Sequence, residues 1–158
     1  MIYMGIDPGL HGAVAFLDPA TKAVGVFDMP IFDVKGKSRL DMSGLHNALS
    51  DGIALHGHPT IALVEDVHAM PAQGVTSSFS FGFVTGAAHM ALAALQIPMR
   101  LVAPGAWKRV MGLSADKDAS RMRASQLYPQ HAALWSRKKD DGRAEAVLLA
   151  HYAARITA

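Results

Sequence analysis

The chain has no cysteine. That excludes a disulfide framework, a thiolate zinc site, a thiol nucleophile and an iron–sulfur cluster. Charge is sparse: 18% of the residues are Asp, Glu, Lys or Arg against 51% hydrophobic, which excludes a disordered polyelectrolyte. Long apolar runs are missing too. Residues 82–95 form the nearest approach, and they fall short of the roughly 18 apolar residues of a membrane span, so no membrane partner is expected. The opening Met1-Ile-Tyr-Met-Gly-Ile-Asp7 has neither a basic n-region nor an apolar run before its first carboxylate, which predicts no secretory signal and a cytoplasmic setting. Neither Gly-x-Ser-x-Gly nor His-Glu-x-x-His occurs. Gly36-Lys37-Ser38 resembles the end of a phosphate loop, but Ile31 stands where that loop needs its first glycine, so no nucleotide cofactor is expected. His56-Gly57-His58 lacks a third ligand at a diagnostic interval and reads as a helix end.

What is present is a chain of 158 residues, enough for one domain over 1–158 with a sizeable core. The net charge of +2 hides a strong partition. Residues 1–99 carry four basic groups against eight acidic ones, whereas residues 100–139 carry nine basic groups against Asp116 and Asp118. A basic segment between acidic ones predicts a polyanion-binding face beside an acidic pocket.

Apolar runs at residues 2–6, 12–17 and 23–27, joined by Asp7-Pro8-Gly9 and Asp18-Pro19-Ala20-Thr21, predict an antiparallel three-stranded meander. Residues 29–40 read as an exposed loop. Asp41 or Ser43 caps a helix to about His56, with Met42, Leu45, Leu49 and Ile53 on one stripe. A strand follows over residues 61–64, then a loop over 70–78 and a Gly- and Ala-rich helix over 79–95. A strand over 99–102 leads into a short helix opened by Pro104, a helix over 116–128 and a last one over 141–156. The resulting order, βββ-α-β-α-β-α-α, is an α/β fold with a five-stranded mixed sheet and helices on both faces.

Asp7 ends the first strand and Glu65 the fourth. Asp141 and Glu145 are four apart and share one side of the last helix. If the first and fourth strands are neighbours, these carboxylates converge, and two hard divalent cations would neutralise them; oxygen ligands without cysteine favour Mg²⁺ or Mn²⁺ over zinc. Such a pair clamps a phosphoryl group.

Gly5-Ile-Asp7-Pro-Gly9 with Gly12-Ala13, then Val64-Glu65, then Lys138-Lys-Asp-Asp-Gly-Arg-Ala-Glu-Ala146, resemble in order the motifs of the RuvC family of Holliday junction resolvases. The likeness is strongest to the RuvC-like proteins of bacteriophages, within the RNase H-like superfamily. It implies an RNase H-like fold and a homodimeric, Mg²⁺-dependent endonuclease that nicks paired strands of a four-way DNA junction, leaving 5′-phosphate and 3′-hydroxyl ends. It also implies Asp7, Glu65, Asp141 and Glu145 as metal-holding catalytic residues. The bacterial enzymes usually end in two Asp three apart, whereas here the second is Glu145. Asp140 is the alternative to Asp141, and the i,i+4 spacing to Glu145 favours Asp141. His68 stands where the bacterial enzymes carry an aromatic that stacks on junction bases; imidazole stacks more weakly, which leaves Met70 and Phe79 as the alternative.

Lys108 and Arg109, then Lys117 and Arg121, fall on two helices and are expected to contact DNA phosphates, with Lys117 nearest the scissile one. Trp107 reads as core. Gly82 and Gly86, four apart, give the Gly- and Ala-rich helix a smooth face for a dimer seam. The rival readings are a nuclease of looser specificity acting on forks, flaps or hybrids, and a non-catalytic junction-binding protein. An actin-type nucleotide hydrolase is disfavoured because this length supplies only one of the two lobes needed.

Overall fold

The structure is a computed structural model, and it describes residues 1–68, 74–116 and 118–157. Its centre is a five-stranded sheet built from β1 (Ile2–Asp7), β2 (Ala13–Asp18), β3 (Ala23–Asp28), β6 (Pro59–Glu65) and β7 (Met99–Val102), in the order β3-β2-β1-β6-β7. β1, β2 and β3 are antiparallel, and β6 runs parallel to both β1 and β7. The sheet is mixed and helices cover both faces, as the sequence predicts. Among the described residues no helix is long and apolar enough to cross a membrane.

Side chains alternate across a strand, so each buried strand feeds two cores. Tyr3, Ala13, Ala15, Leu17, Ile61 and Leu63 join one cluster, which is closed by Trp107 of α3 (Pro104–Val110), Ala124 of α4 (Ala119–Leu127) and Leu148 of α5 (Asp141–Thr157). Met4, Ile6, Val14, Phe16, Ala62 and Val64 join the other, under Leu45 and Leu49 of α1 (Met42–His56) and Val84, Ala88 and Leu92 of α2 (Val75–Ala94). The odd-numbered positions of β1 and β6 therefore face α5. Asp7 and Glu65 are the last odd positions of those strands.

α5 can lie close on β1 because Gly5 has no side chain. A Cβ at Gly5 would stand 2.0 Å from the Ala146 carbonyl oxygen and 2.5 Å from the Ala150 nitrogen. Gly142, Ala146 and Ala150 recur every four residues and present a stripe of small groups to the strand. The start of α5 is tied down a second time by Arg143, whose Nε and Nη2 donate to the Asp28 carboxylate at 2.6 Å each. α1 begins as expected, with the Asp41 side chain accepting from the Gly44 N–H at 2.8 Å.

Three sequence expectations need correction. Residues 29–40 are not simply a loop: β4 (Ile31–Val34) and β5 (Lys37–Leu40) pair as a separate two-stranded hairpin. Its two-residue turn places Lys35 and Gly36 at φ 53° and 77°, and lysine is not a residue that signals such a turn. α2 starts at Val75, inside the expected loop, and Met70 lies outside the described residues. The helix expected from residue 116 begins at Ala119, and 3₁₀ turns at Pro129–Trp135 and Lys138–Asp140 lead into α5.

Gly5→Ala is expected to cost at least about 1–3 kcal/mol, because backbone on both sides must separate to admit the methyl group. Urea unfolding against the wild type measures this; an unchanged midpoint would show that the packing there is not tight.

Candidate active site

The parallel register sets Ile6 beside Val64, so Asp7 and Glu65 leave adjacent strand ends on the face that α5 covers. Glu145, one turn into α5, reaches the same point. Carboxylate oxygens of Asp7, Glu65 and Glu145 all lie within 4.8 Å of one another. Gly142 allows this approach: a Cβ there would stand 2.9 Å from Asp7 Oδ2 and 2.7 Å from the His11 carbonyl oxygen. Asp141 is outside the trio, but its charge acts on Asp7, and that of Glu145 acts on it. Its Oδ1 is buried and has no hydrogen-bond partner among the described residues. Asp140 points elsewhere, held by the Arg137 backbone N–H and guanidinium, and that pairing keeps its carboxyl below the usual range.

Burial and like charge dominate the electrostatics. Asp7 is pushed up to about 8, first by burial and then by the charges of Glu145 and Glu65; the Lys108 ammonium pulls the other way and loses. Burial raises Glu65 as well, against Lys108 and the Trp107 hydrogen bond. Asp141 is raised by burial and by Glu145. Burial pulls the Lys108 ammonium down, but its hydrogen bond to Glu145 and the charges of Glu145, Glu65 and Asp7 carry it above the ordinary lysine value.

Two of the carboxylates are oriented by neighbours that the sequence did not single out for the site. Trp107, fully buried, donates from Nε1 to Glu65 Oε1 at 2.9 Å. Ser120, buried on α4, donates from Oγ to Glu145 Oε1 at 3.0 Å. The tryptophan's packing was legible in its apolar setting; its indole N–H aimed at a carboxylate 42 residues away in sequence was not.

The cationic residues divide. Lys108 is not splayed on the surface: its Nζ stands 2.8 Å from Glu145 and 3.7 Å from Glu65, inside the acidic cluster. Arg121 donates to Asp118 and to the Ser136 carbonyl, and its side chain is only 14% exposed, which ties it to its own protein. Arg109 is exposed on α3, as are Lys138 and Lys139 just before α5. Lys117 lies outside the described residues. His68 is exposed, with Nε2 3.4 Å from an Asp66 oxygen. Phe79 is on α2 and 72% exposed.

The donor set fits a hard divalent cation. The converging ligand atoms are all carboxylate oxygens, a buried oxygen of Asp141, which is coupled electrostatically to Glu145, has no partner among the described residues, and an ammonium already sits against two of the three acids.

No family model matches the chain, and no curated protein does. Solved structures match in fold. Thermus thermophilus RuvC in complex with a Holliday junction substrate superposes with TM-score 0.60 at 20% identity, over 100% of this chain and 98% of that one. A second structure of T. thermophilus RuvC gives 0.61 at 18% identity, over 99% and 98%. The yeast mitochondrial Holliday junction resolvase Ydc2 gives 0.53 at 15%, over 93% of this chain and 75% of that one. The chain thus has the fold of these resolvases.

The elevated Asp7 predicts a pH signature for the metal-free protein. Folded Asp7 holds its proton up to about pH 8, whereas the unfolded group releases it near its ordinary value of 3.8. This stabilisation is complete below the unfolded value and is lost as pH rises towards 8, at no more than about 1.4 kcal/mol per pH unit for one proton. In chelator, wild type is expected to lose stability relative to Asp7→Asn between about pH 5 and pH 8 in urea unfolding. Parallel profiles would show that Asp7 is not in a strained environment.

Proposed function

We propose that this chain is a metal-dependent endonuclease that resolves four-way DNA junctions by symmetric nicking. The observation that carries the reading is the convergence of Asp7, Glu65 and Glu145 at one point of a resolvase-like fold. Asp7, Glu65, Glu145 and Asp141 would hold two Mg²⁺ ions, with Mn²⁺ able to substitute. Asp141 is preferred to Asp140 because Arg137 already occupies the latter. Bound there, divalent cations supply Lewis acidity, activating water and offsetting charge on the phosphate and departing 3′-oxygen.

The chain's own groups do the positioning. Trp107 fixes the rotation of the Glu65 carboxylate and Ser120 that of Glu145, so the acids are preorganised. Lys108 is the one described lysine inside the cluster, and its ammonium can turn from the carboxylates to a non-bridging phosphate oxygen. Arg109, Lys138 and Lys139, exposed on the elements flanking the cluster, supply phosphate contacts to the DNA arms, with Lys117 completing the set.

A homodimer suits a substrate with two equivalent strands to cut. α2 supports the seam: Met90 is 66% exposed, and a Cβ added at Gly82 or Gly86, eight and four residues before it, would meet nothing within 4 Å. A cytoplasmic setting belongs to the same reading.

With a mobile four-way junction, the protein is expected to give paired nicks in strands of like polarity only when Mg²⁺ or Mn²⁺ is added. Preferential cutting of forks, flaps or RNA–DNA hybrids would replace this reading with a looser nuclease, and binding without cleavage in any metal would leave a junction-binding protein. Asp7→Asn should abolish cleavage while junction affinity in a gel shift is kept. Trp107→Phe removes the donor to Glu65 along with part of a buried ring, so with folding checked by circular dichroism it should weaken metal affinity or activity about 10–100-fold. Unchanged metal dependence would show that the indole N–H does not position Glu65.

A further inference from the structure

Resting on the reading above, we infer that the β4–β5 hairpin is a DNA-contacting element that grips unstacked strand at the branch point of the substrate. Its position is the first ground. Asp7 pairs with Ala13, and Ala13 with Asp28, so β3 ends in line with Asp7. Met29 then donates its N–H to the Gly12 carbonyl, and the hairpin leaves the sheet from that end. It is therefore rooted in the same loop layer as the carboxylate cluster.

Its surface is the second ground. Among the described residues the strands pair only with each other; Leu40 anchors the hairpin in the core under α1 and α2, and all four residues of β4 are exposed. Phe32 pairs with Arg39 and Val34 with Lys37, and cross-strand partners share a face, so two apolar and two basic side chains lie together. Phe32 is 51% and Val34 43% exposed. Lys35 adds a third cation at the turn. The hairpin's one carboxylate, Asp33, accepts from the Gly36 N–H at 2.9 Å and braces that turn. Phe32 and Arg39 also line, with Leu10, Phe79 and Phe83, a groove of about 270 Å³.

This chemistry selects the occupant. Half-exposed aromatics beside Lys and Arg match single-stranded nucleic acid, where rings stack on bases and cations follow phosphates. A second copy of the chain is disfavoured, because hairpins meeting about a two-fold axis would bring three cations against three, whereas the whole of α2 is free of Asp, Glu, Lys and Arg. In an intact duplex no base face is open to Phe32. The aromatic contribution should thus be specific to branched DNA, and the cationic one general.

The test compares wild type, Phe32→Ala and the triple variant Lys35→Ala/Lys37→Ala/Arg39→Ala by fluorescence anisotropy on a four-way junction and on linear duplex, in chelator and at several salt concentrations. 2-Aminopurine placed at the crossover reports unstacking, and circular dichroism checks the fold. Phe32→Ala is expected to lose about fivefold to hundredfold in junction affinity, with a smaller 2-aminopurine rise and unchanged duplex binding. The triple variant should bind both DNAs more weakly, with a salt slope shallower by about 0.7–0.9 for each phosphate that is no longer neutralised. Wild-type junction and duplex affinity in both variants would overturn the inference while leaving the nuclease reading intact. So would a change in sedimentation mass with DNA binding unaltered, which would assign the hairpin to a protein interface. A wild-type protein that binds no DNA at any salt would overturn the nuclease reading itself.

Discussion

The close approach of α5 to β1 is the interaction on which the site depends. It exists because Gly5 presents bare backbone to Ala146 and Ala150, where a single methyl group would collide with main-chain atoms. Once α5 lies that near, its first turns are delivered to the end of β1, and Glu145 meets a carboxylate that alternation has already turned to the same side. Strand period and helix period supply the rest: two residues per repeat keep Asp7 and Glu65 on one face, and about four residues per turn bring Gly142 and Ala146 onto one stripe. The Arg143–Asp28 pair, made at the end of β3, fixes the angle at which the helix starts.

The cluster so formed works against stability. Burial first, and then the charges of Glu145 and Glu65 crowded within 4.8 Å, raise the proton affinity of Asp7, and burial raises that of Glu65 as well. The protein offsets this without neutral filling: Lys108 places an ammonium against two of the acids, and Trp107 and Ser120 each direct a polar hydrogen at a carboxylate oxygen. One ammonium is not enough, since Asp7 stays elevated and an Asp141 oxygen stays unpartnered among the described residues. A site left short of positive charge in this way suits an additional cation, because burial and like charge both penalise the ionised acids.

Much of the sheet was legible because its strands are short, apolar and punctuated by Asp-Pro and Pro breaks, and because α1 and α5 carry clear caps or spacing. The β4–β5 hairpin was not. Phe32, Val34, Lys37 and Arg39 alternate too weakly in polarity to mark strands, and a Lys-Gly turn with positive φ at lysine is not a turn signal. Among the site residues, Asp7, Glu65 and Glu145 could be proposed from position and spacing. The destination of Lys108 could not: a lysine on a basic segment reads as a surface group until Glu65 of β6 and Glu145 of α5 are known to converge beside it. Arg121 misleads for a similar reason, its partners Asp118 and Ser136 being supplied by the turns on either side of α4.

Sequence alone determined which residues could be acids, where strands end and which helix positions share a side, because those follow from chemistry and from periods of two and of about 3.6 residues. It also determined that the basic groups are concentrated between the second and third acidic stations of the chain. Only the tertiary structure decided that β1 and β6 are neighbours, that α5 packs against them closely enough for Glu145 to meet Asp7, and that Lys108 turns inward. These depend on distances between segments up to 138 residues apart, which are set by packing of backbone against backbone at Gly5 and Gly142, and no local preference in the chain encodes them.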